Sequence, residues 1–138
     1  MSASQHNLVL ILARDFASRL ATAVFLVDPQ GSLVYFNEAA EGVLGQAYTE
    51  GVSMSAREWS TAFEPVAADG SPLPLGDLPL GIALSRREPA HSAIRIVGRD
   101  GVARAIEVTA FPLFAHADEF VGAVAIFWEL PAARGSAG

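Results

Sequence analysis

Apolar residues recur every four positions at Leu8, Leu12, Phe16 and Leu20, with Val9 and Ala13 beside them, and this spacing predicts an amphipathic helix over residues 8–20. Asn7 is placed to cap it, and Arg14, Asp15 and Ser18 turn away from the stripe. Residues 23–27 are apolar and partly β-branched, and a second short apolar run follows at 33–36. Between them, Asp28-Pro29-Gln30-Gly31 has Pro second and Gly fourth, which favours a type I turn, so the unit reads as a β-hairpin. Asn37 then caps a short helix over 38–44, closed by Gly45.

Pro65, Pro72, Pro74 and Pro79 break up the middle of the chain, leaving short helices at 57–63 and 77–86. The second has Asp77 as its cap and Pro79 in its first turn, where a missing N–H costs nothing. Beyond Pro89 the period shifts to two. Ile94 and Ile96 alternate with Arg95 and Val97, and Ile106, Val108 and Ala110 alternate with Glu107, Thr109 and Phe111. Asp100-Gly101 marks the turn between these strands, and residues 120–128 make a third after the loop at 115–119. Hairpins grouped around a helical middle predict an α+β fold with an antiparallel sheet. The expected organisation is an N-terminal helical segment at 1–20, a domain at 21–130 and a flexible tail at 131–138.

Composition narrows the function. With 138 residues, 51% hydrophobic and 17% charged, the chain is one compact domain that buries a core without cross-links. All nine basic residues are arginines, outnumbered by 15 acidic ones for a net charge of −6, which argues against a nucleic-acid partner. The absence of cysteine removes disulfides, thiolate metal sites, cysteine nucleophiles and flavin–cysteine photochemistry. The longest uncharged apolar run is nine residues, too short for a membrane helix, and no positive segment precedes residues 8–13, so a soluble cytoplasmic protein is expected. Ser53 and Ser55 have no histidine nearby in sequence and no glycine-rich phosphate loop appears, while Glu38 and Glu41 read as a solvated helix face; an enzyme is not expected. His6, His91 and His116 lack the close spacing of a metal site.

Several stretches together resemble a PAS domain, the small sensory module of bacterial signalling proteins. They are Val27-Asp28-Pro29-Gln30-Gly31, Tyr35-Phe36-Asn37-Glu38-Ala39-Ala40 through Leu44-Gly45, Arg99-Asp100-Gly101, Phe111-Pro112-Leu113 and Val121-Gly122-Ala123-Val124. Asp69-Gly70-Ser71-Pro72-Leu73-Pro74 with Leu78-Pro79-Leu80 is similar to a bacterial subgroup often joined to kinases and phosphatases. The resemblance covers about residues 20 to 130. It implies a five-stranded antiparallel sheet of order 2-1-5-4-3, with short helices across one face and a pocket between.

Family geometry then sets the phase of the alternation. Phe25, Val27, Val34, Phe36, Ile94, Ile96, Ile106, Val108, Ala110, Val124 and Ile126 should face inward, with Ala40, Leu44, Trp59, Phe63, Leu80 and Leu84 closing the space from the helices. Phe111, Ala125 and Phe127 are expected on the outward sheet face. The inward set either fills a plain core or lines a site for a small apolar ligand, with Phe25, Phe36, Leu44, Trp59, Phe63, Leu80, Ile94, Ile96, Ile106, Val108 and Val124 as the binding candidates. Flavin-binding relatives carry amide side chains where this chain has Ile96, Ile106 and Val124, so a flavin edge would meet hydrocarbon. Haem-binding relatives draw an axial histidine from the helix at 77–86, which has none; His91 lies just beyond it. The cofactor is unknown. The leading expectation is a non-enzymatic sensory domain, and the alternative is a haem or other prosthetic-group sensor. Glu129-Leu130-Pro131 stands where relatives have an Asp-Ile-Thr-like lead into a signalling helix, and Pro131 disfavours helix at Leu130. The N-terminal helix is expected either to dock a second copy of the chain, making a homodimer, or to cover its own sheet, and a separate signalling protein such as a kinase or phosphatase is the expected partner.

Overall fold

The computed structural model describes residues 2–49, 54–116 and 119–130. The tail expected at 131–138 lies outside them. Along the chain run helix α1 (Ser2–Ala17), strands β1 (Ala23–Val27) and β2 (Leu33–Phe36), helices α2 (Glu38–Leu44) and α3 (Ala56–Ala62), strand β3 (Val66–Ala67), a 3-10 turn (Leu75–Asp77), helix α4 (Pro79–Arg86), and strands β4 (Ala90–Val97), β5 (Ala103–Phe114) and β6 (Phe120–Glu129). No helix among the described residues is long and apolar enough to cross a membrane.

The local signals account for most of these bounds. The Asp28–Gly31 turn closes with Gly31 N–H donating to Asp28 O at 2.8 Å, and the Asp28 carboxylate accepts from the N–H groups of Gln30 and Ser32. Asn37 caps α2 and Gly45 ends it in the left-handed region at φ 67°. Helix α3 begins one residue before its expected start, because Ser55 and Glu58 form a reciprocal capping box whose Ser-x-x-Glu signature stands in the sequence. Asp77 does not cap α4; it ends the 3-10 turn, and the N-cap is Leu78 with Pro79 in the first turn.

Helix α1 departs furthest from expectation. It starts at Ser2, so Asn7 lies within it, and it stops at Ala17 rather than residue 20. The stop has a tertiary cause: the Asn37 side chain donates to Ala17 O at 2.9 Å, taking a carbonyl that a continuing helix would have used.

The sheet has six antiparallel strands in the order β2-β1-β6-β5-β4-β3. The expected five-stranded order is present, extended by the two-residue β3, which pairs Val66 with Arg95 and Ala67 with Ile94 at the edge. One face is covered by helices and the other in part. Helices α2, α3 and α4 bury one face with Phe25, Val27, Phe36, Ile94, Ile96, Ile106, Val108 and Phe127. On the other, α1 lays Leu10, Ala13 and Ala17 over Val24, Leu26 and Val124. Two-sided burial explains why the phase of β6 came out reversed: its first five residues, Phe120, Val121, Gly122, Ala123 and Val124, are all buried, so alternation carries no phase there. Val124 and Ile126 pack with the α1 side, whereas Ala125 and Phe127 face the opposite helices.

Candidate functional site

Between the sheet and helices α2–α4 lies a cavity of about 90 Å³. Its sheet wall is Phe25, Ile94, Ile96, Ile106, Val108, Ala125 and Phe127; its helical wall is Leu44, Trp59, Phe63, Leu78, Pro79 and Leu80, with Pro65 beside them. All are buried except Pro65, which is half-buried at the solvent edge. The sheet puts β4 and β5 in register so that Ile94 stands opposite Ile106, and β5 and β6 so that Val108 stands opposite Phe127. Alternate residues of each strand thus meet on one face. Proline-rich residues 65–79 bring Leu78, Pro79 and Leu80 over that face, and Gly81 allows the close approach: a Cβ there would sit 1.7 Å from Leu75 O.

Nine of the eleven binding candidates line this cavity: Phe25, Leu44, Trp59, Phe63, Leu80, Ile94, Ile96, Ile106 and Val108. Phe36 does not. It is buried one layer behind the wall, stacked on Phe25 with ring centroids 5.9 Å apart and planes 5° from parallel. Val124 is on the other sheet face, against α1. Val34, also expected inward, sits at a β-bulge: Val27 pairs with Leu33 and Leu26 with Tyr35, so Val34 has no partner in the register and packs outward. Pro65, Leu78, Pro79, Ala125 and Phe127 were missed. The first three carry no periodic signal in a proline-broken segment, and the last two follow from the β6 phase.

The wall offers no free polar group. Its one polar side-chain atom, Trp59 Nε1, donates to Gly31 O at 2.6 Å in a buried hydrogen bond. Ionisable groups lie elsewhere. His91 is on β4 between inward positions, exposed on the sheet face away from the cavity, where it pairs with Glu107 near Trp128. It therefore cannot reach a group bound within, and an axial role for it is geometrically closed. Among the described residues no group of three or more His, Cys, Asp or Glu side chains is gathered as a metal site would need. A wider furrow of about 550 Å³ runs among Leu10, Asp28, Gln30, Arg87 and Phe120, but most of its side chains are exposed or half-buried.

No family model and no curated protein matches the chain. Solved structures do. A LOV protein of Rhodobacter sphaeroides superimposes with a TM-score of 0.67 at 18% identity, covering 99% of this chain and 72% of that one. The PAS domain of BvgS from Bordetella pertussis gives 0.63 at 15% identity, covering 93% and 90%. The PAS domain of a nitrogen regulation protein from Vibrio parahaemolyticus gives 0.59 at 19% identity, covering 86% and 98%. At such identities the likeness is one of architecture, and it agrees with the strand order and the helix-covered pocket described above: the chain has the PAS fold.

Proposed function

We propose that this chain is a non-enzymatic sensory domain whose input is a small apolar molecule in the cavity and whose output is a change in protein contacts. The cavity wall carries the reading. It presents hydrocarbon and aromatic faces only, with its indole N–H already engaged, so it supplies neither an acid, a base nor a nucleophile to a substrate. Size limits the ligand further. An engineered apolar cavity of about 150 Å³ holds benzene or xenon, and drug-sized ligands occupy roughly 300–1,000 Å³. At about 90 Å³ the site fits a xenon-sized atom or a short hydrocarbon, and it would have to expand greatly for a flavin or haem. The similarity in fold to PAS and LOV proteins supports a role in signal sensing.

The output surface on this reading is α1. Leu8, Ile11, Leu12 and Phe16 are each more than half exposed, at 55%, 61%, 58% and 64%, and form an apolar face directed away from the sheet. A second copy of the chain docked on that face makes a homodimer, and a separate signalling protein such as a kinase or phosphatase receives the change.

Xenon pressure with methyl NMR tests the input. Xenon should shift the methyl resonances of Ile94, Ile96, Ile106 and Val108 before that of Val124, and Ile96→Asn should weaken binding about tenfold by placing an unpaired amide among hydrocarbon. Unmoved cavity methyls, or equal affinity in Ile96→Asn, overturn the assignment. A Soret band in the purified protein would overturn it in favour of haem.

A further inference from the structure

A continuous row of aromatic contacts leads from the cavity wall to α1. Trp59 meets the edge of Phe25 at 5.5 Å, Phe25 stacks on Phe36 at 5.9 Å, and Phe36 meets Tyr48 edge-on at 5.5 Å. Tyr48 is fixed from two sides, by its hydroxyl donating to Val34 O at 2.9 Å and by Tyr35 at 5.0 Å. The two tyrosines together receive Arg14 of α1, whose guanidinium carbon stands 4.6 Å from the Tyr35 ring centre and 5.6 Å from that of Tyr48. The sequence pattern turns Arg14 to solvent; the structure instead makes it the clamp of the helix. The residue after Phe36 completes the connection, since Asn37 holds Ala17 O at the end of α1.

Helix α1 is the element most able to respond. It has 16 residues, near the length at which an isolated helix is marginal in water, and it meets the sheet mainly through small or half-buried side chains, Leu10, Ala13 and Ala17. The Arg14 clamp and the Asn37 bond add to that hold.

We propose that the docking of α1 reads the position of Phe25, and that a molecule pressing on Phe25 from the cavity loosens the helix through the row Phe25, Phe36, Tyr48 and Arg14. This rests on the cavity being the input site, and it gives that site a defined route to the exposed face of α1.

Amide hydrogen exchange on the full chain tests the coupling without a ligand. Exchange in α1 is read as a ratio to that of β5, which cancels global destabilisation. Phe25→Leu and the half-buried Tyr48→Leu should each raise the ratio about tenfold, whereas Val108→Ala, which enlarges the same cavity away from the row, should leave it within about twofold. Arg14→Gln combined with Phe25→Leu should add nothing to the single change. An unchanged ratio in Tyr48→Leu, an equal rise in Val108→Ala, or additivity with Arg14→Gln overturns the proposal. The xenon titration separates the two ideas. Cavity methyls that ignore xenon while the exchange pattern holds remove the ligand and keep the coupling; bound xenon with an unresponsive row keeps the ligand and removes the coupling.

Discussion

Asn37 joins three elements with one amide. Its Oδ1 accepts from Val24 N–H and from Ala40 N–H, both at 3.0 Å, and its Nδ2 donates to Ala17 O and Thr22 O, both at 2.9 Å. The residue is 1% exposed, so truncation strands backbone groups that water cannot easily reach. Asn37→Ala should lower the unfolding free energy by about 3 kcal/mol in urea titration, and a loss under about 1 kcal/mol would contradict this account. Asp100 ties part of the stability to pH. Hydrogen bonds from the Arg104 guanidinium, then from Val102 N–H, hold its carboxyl at about 2, below the ordinary 3.8. Because the folded value is depressed, the stabilisation is complete above the ordinary value and is lost as pH falls towards 2. Melting temperature should therefore decline between about pH 4 and pH 2, and Asp100→Asn should flatten that decline while lowering stability at neutral pH. Identical acid profiles in the two proteins would refute the assignment.

Among the elements, β6 shows what a strand buried on both faces demands. Gly122 has φ 146°, and a Cβ on it would stand 2.4 Å from Val27 O and 3.2 Å from the Leu10 side chain. Any larger residue must push β6 away from the β1 backbone and displace the Leu10 side chain of α1. Gly122→Ala is expected to cost about 3 kcal/mol and to expose α1 to proteolysis before the rest of the chain. A variant as stable as the parent would mean that the β1–β6 seam is looser than drawn here. The β4–β5 turn is anchored differently. Arg99 N–H donates to Leu44 O at 2.8 Å, closing the C-terminal end of α2, so the hairpin and the cavity's helical wall are held by one bond.

For the whole molecule, the arrangement is a sheet with a cavity on one face and helix α1 on the other. The outward row of α1 leads to a direct test of assembly. Leu12 is 58% exposed, so Leu12→Glu should leave the melting temperature of the monomer nearly unchanged and dissociate the proposed dimer; a parent protein that sediments as a monomer at high micromolar concentration would remove the dimer altogether. The sequence by itself determined the order of the elements other than β3, the α2 caps, the hairpin turns and the apolar character of the cavity, because each is encoded within a few residues by a capping side chain, a turn former or a period of two. It also carried nine wall residues: Ile94, Ile96, Ile106 and Val108 on strands with one solvated face, Leu44, Trp59, Phe63 and Leu80 on or at the end of short helices, and Phe25 on the fully buried β1, where the family resemblance supplied the phase. Tertiary structure alone decided the rest. Alternation cannot assign faces to β6 once α1 covers its outer side, the bulge turns Val34 outward while Phe36 stays inward only through pairing with β1, and α1 ends where Asn37, twenty residues on, reaches its last carbonyl. The cavity's volume is likewise a property of packing: it depends on how the proline-rich segment seats α4 over the sheet, with Gly81 letting the 3-10 turn at Leu75 close against the helix, an arrangement that no local pattern records.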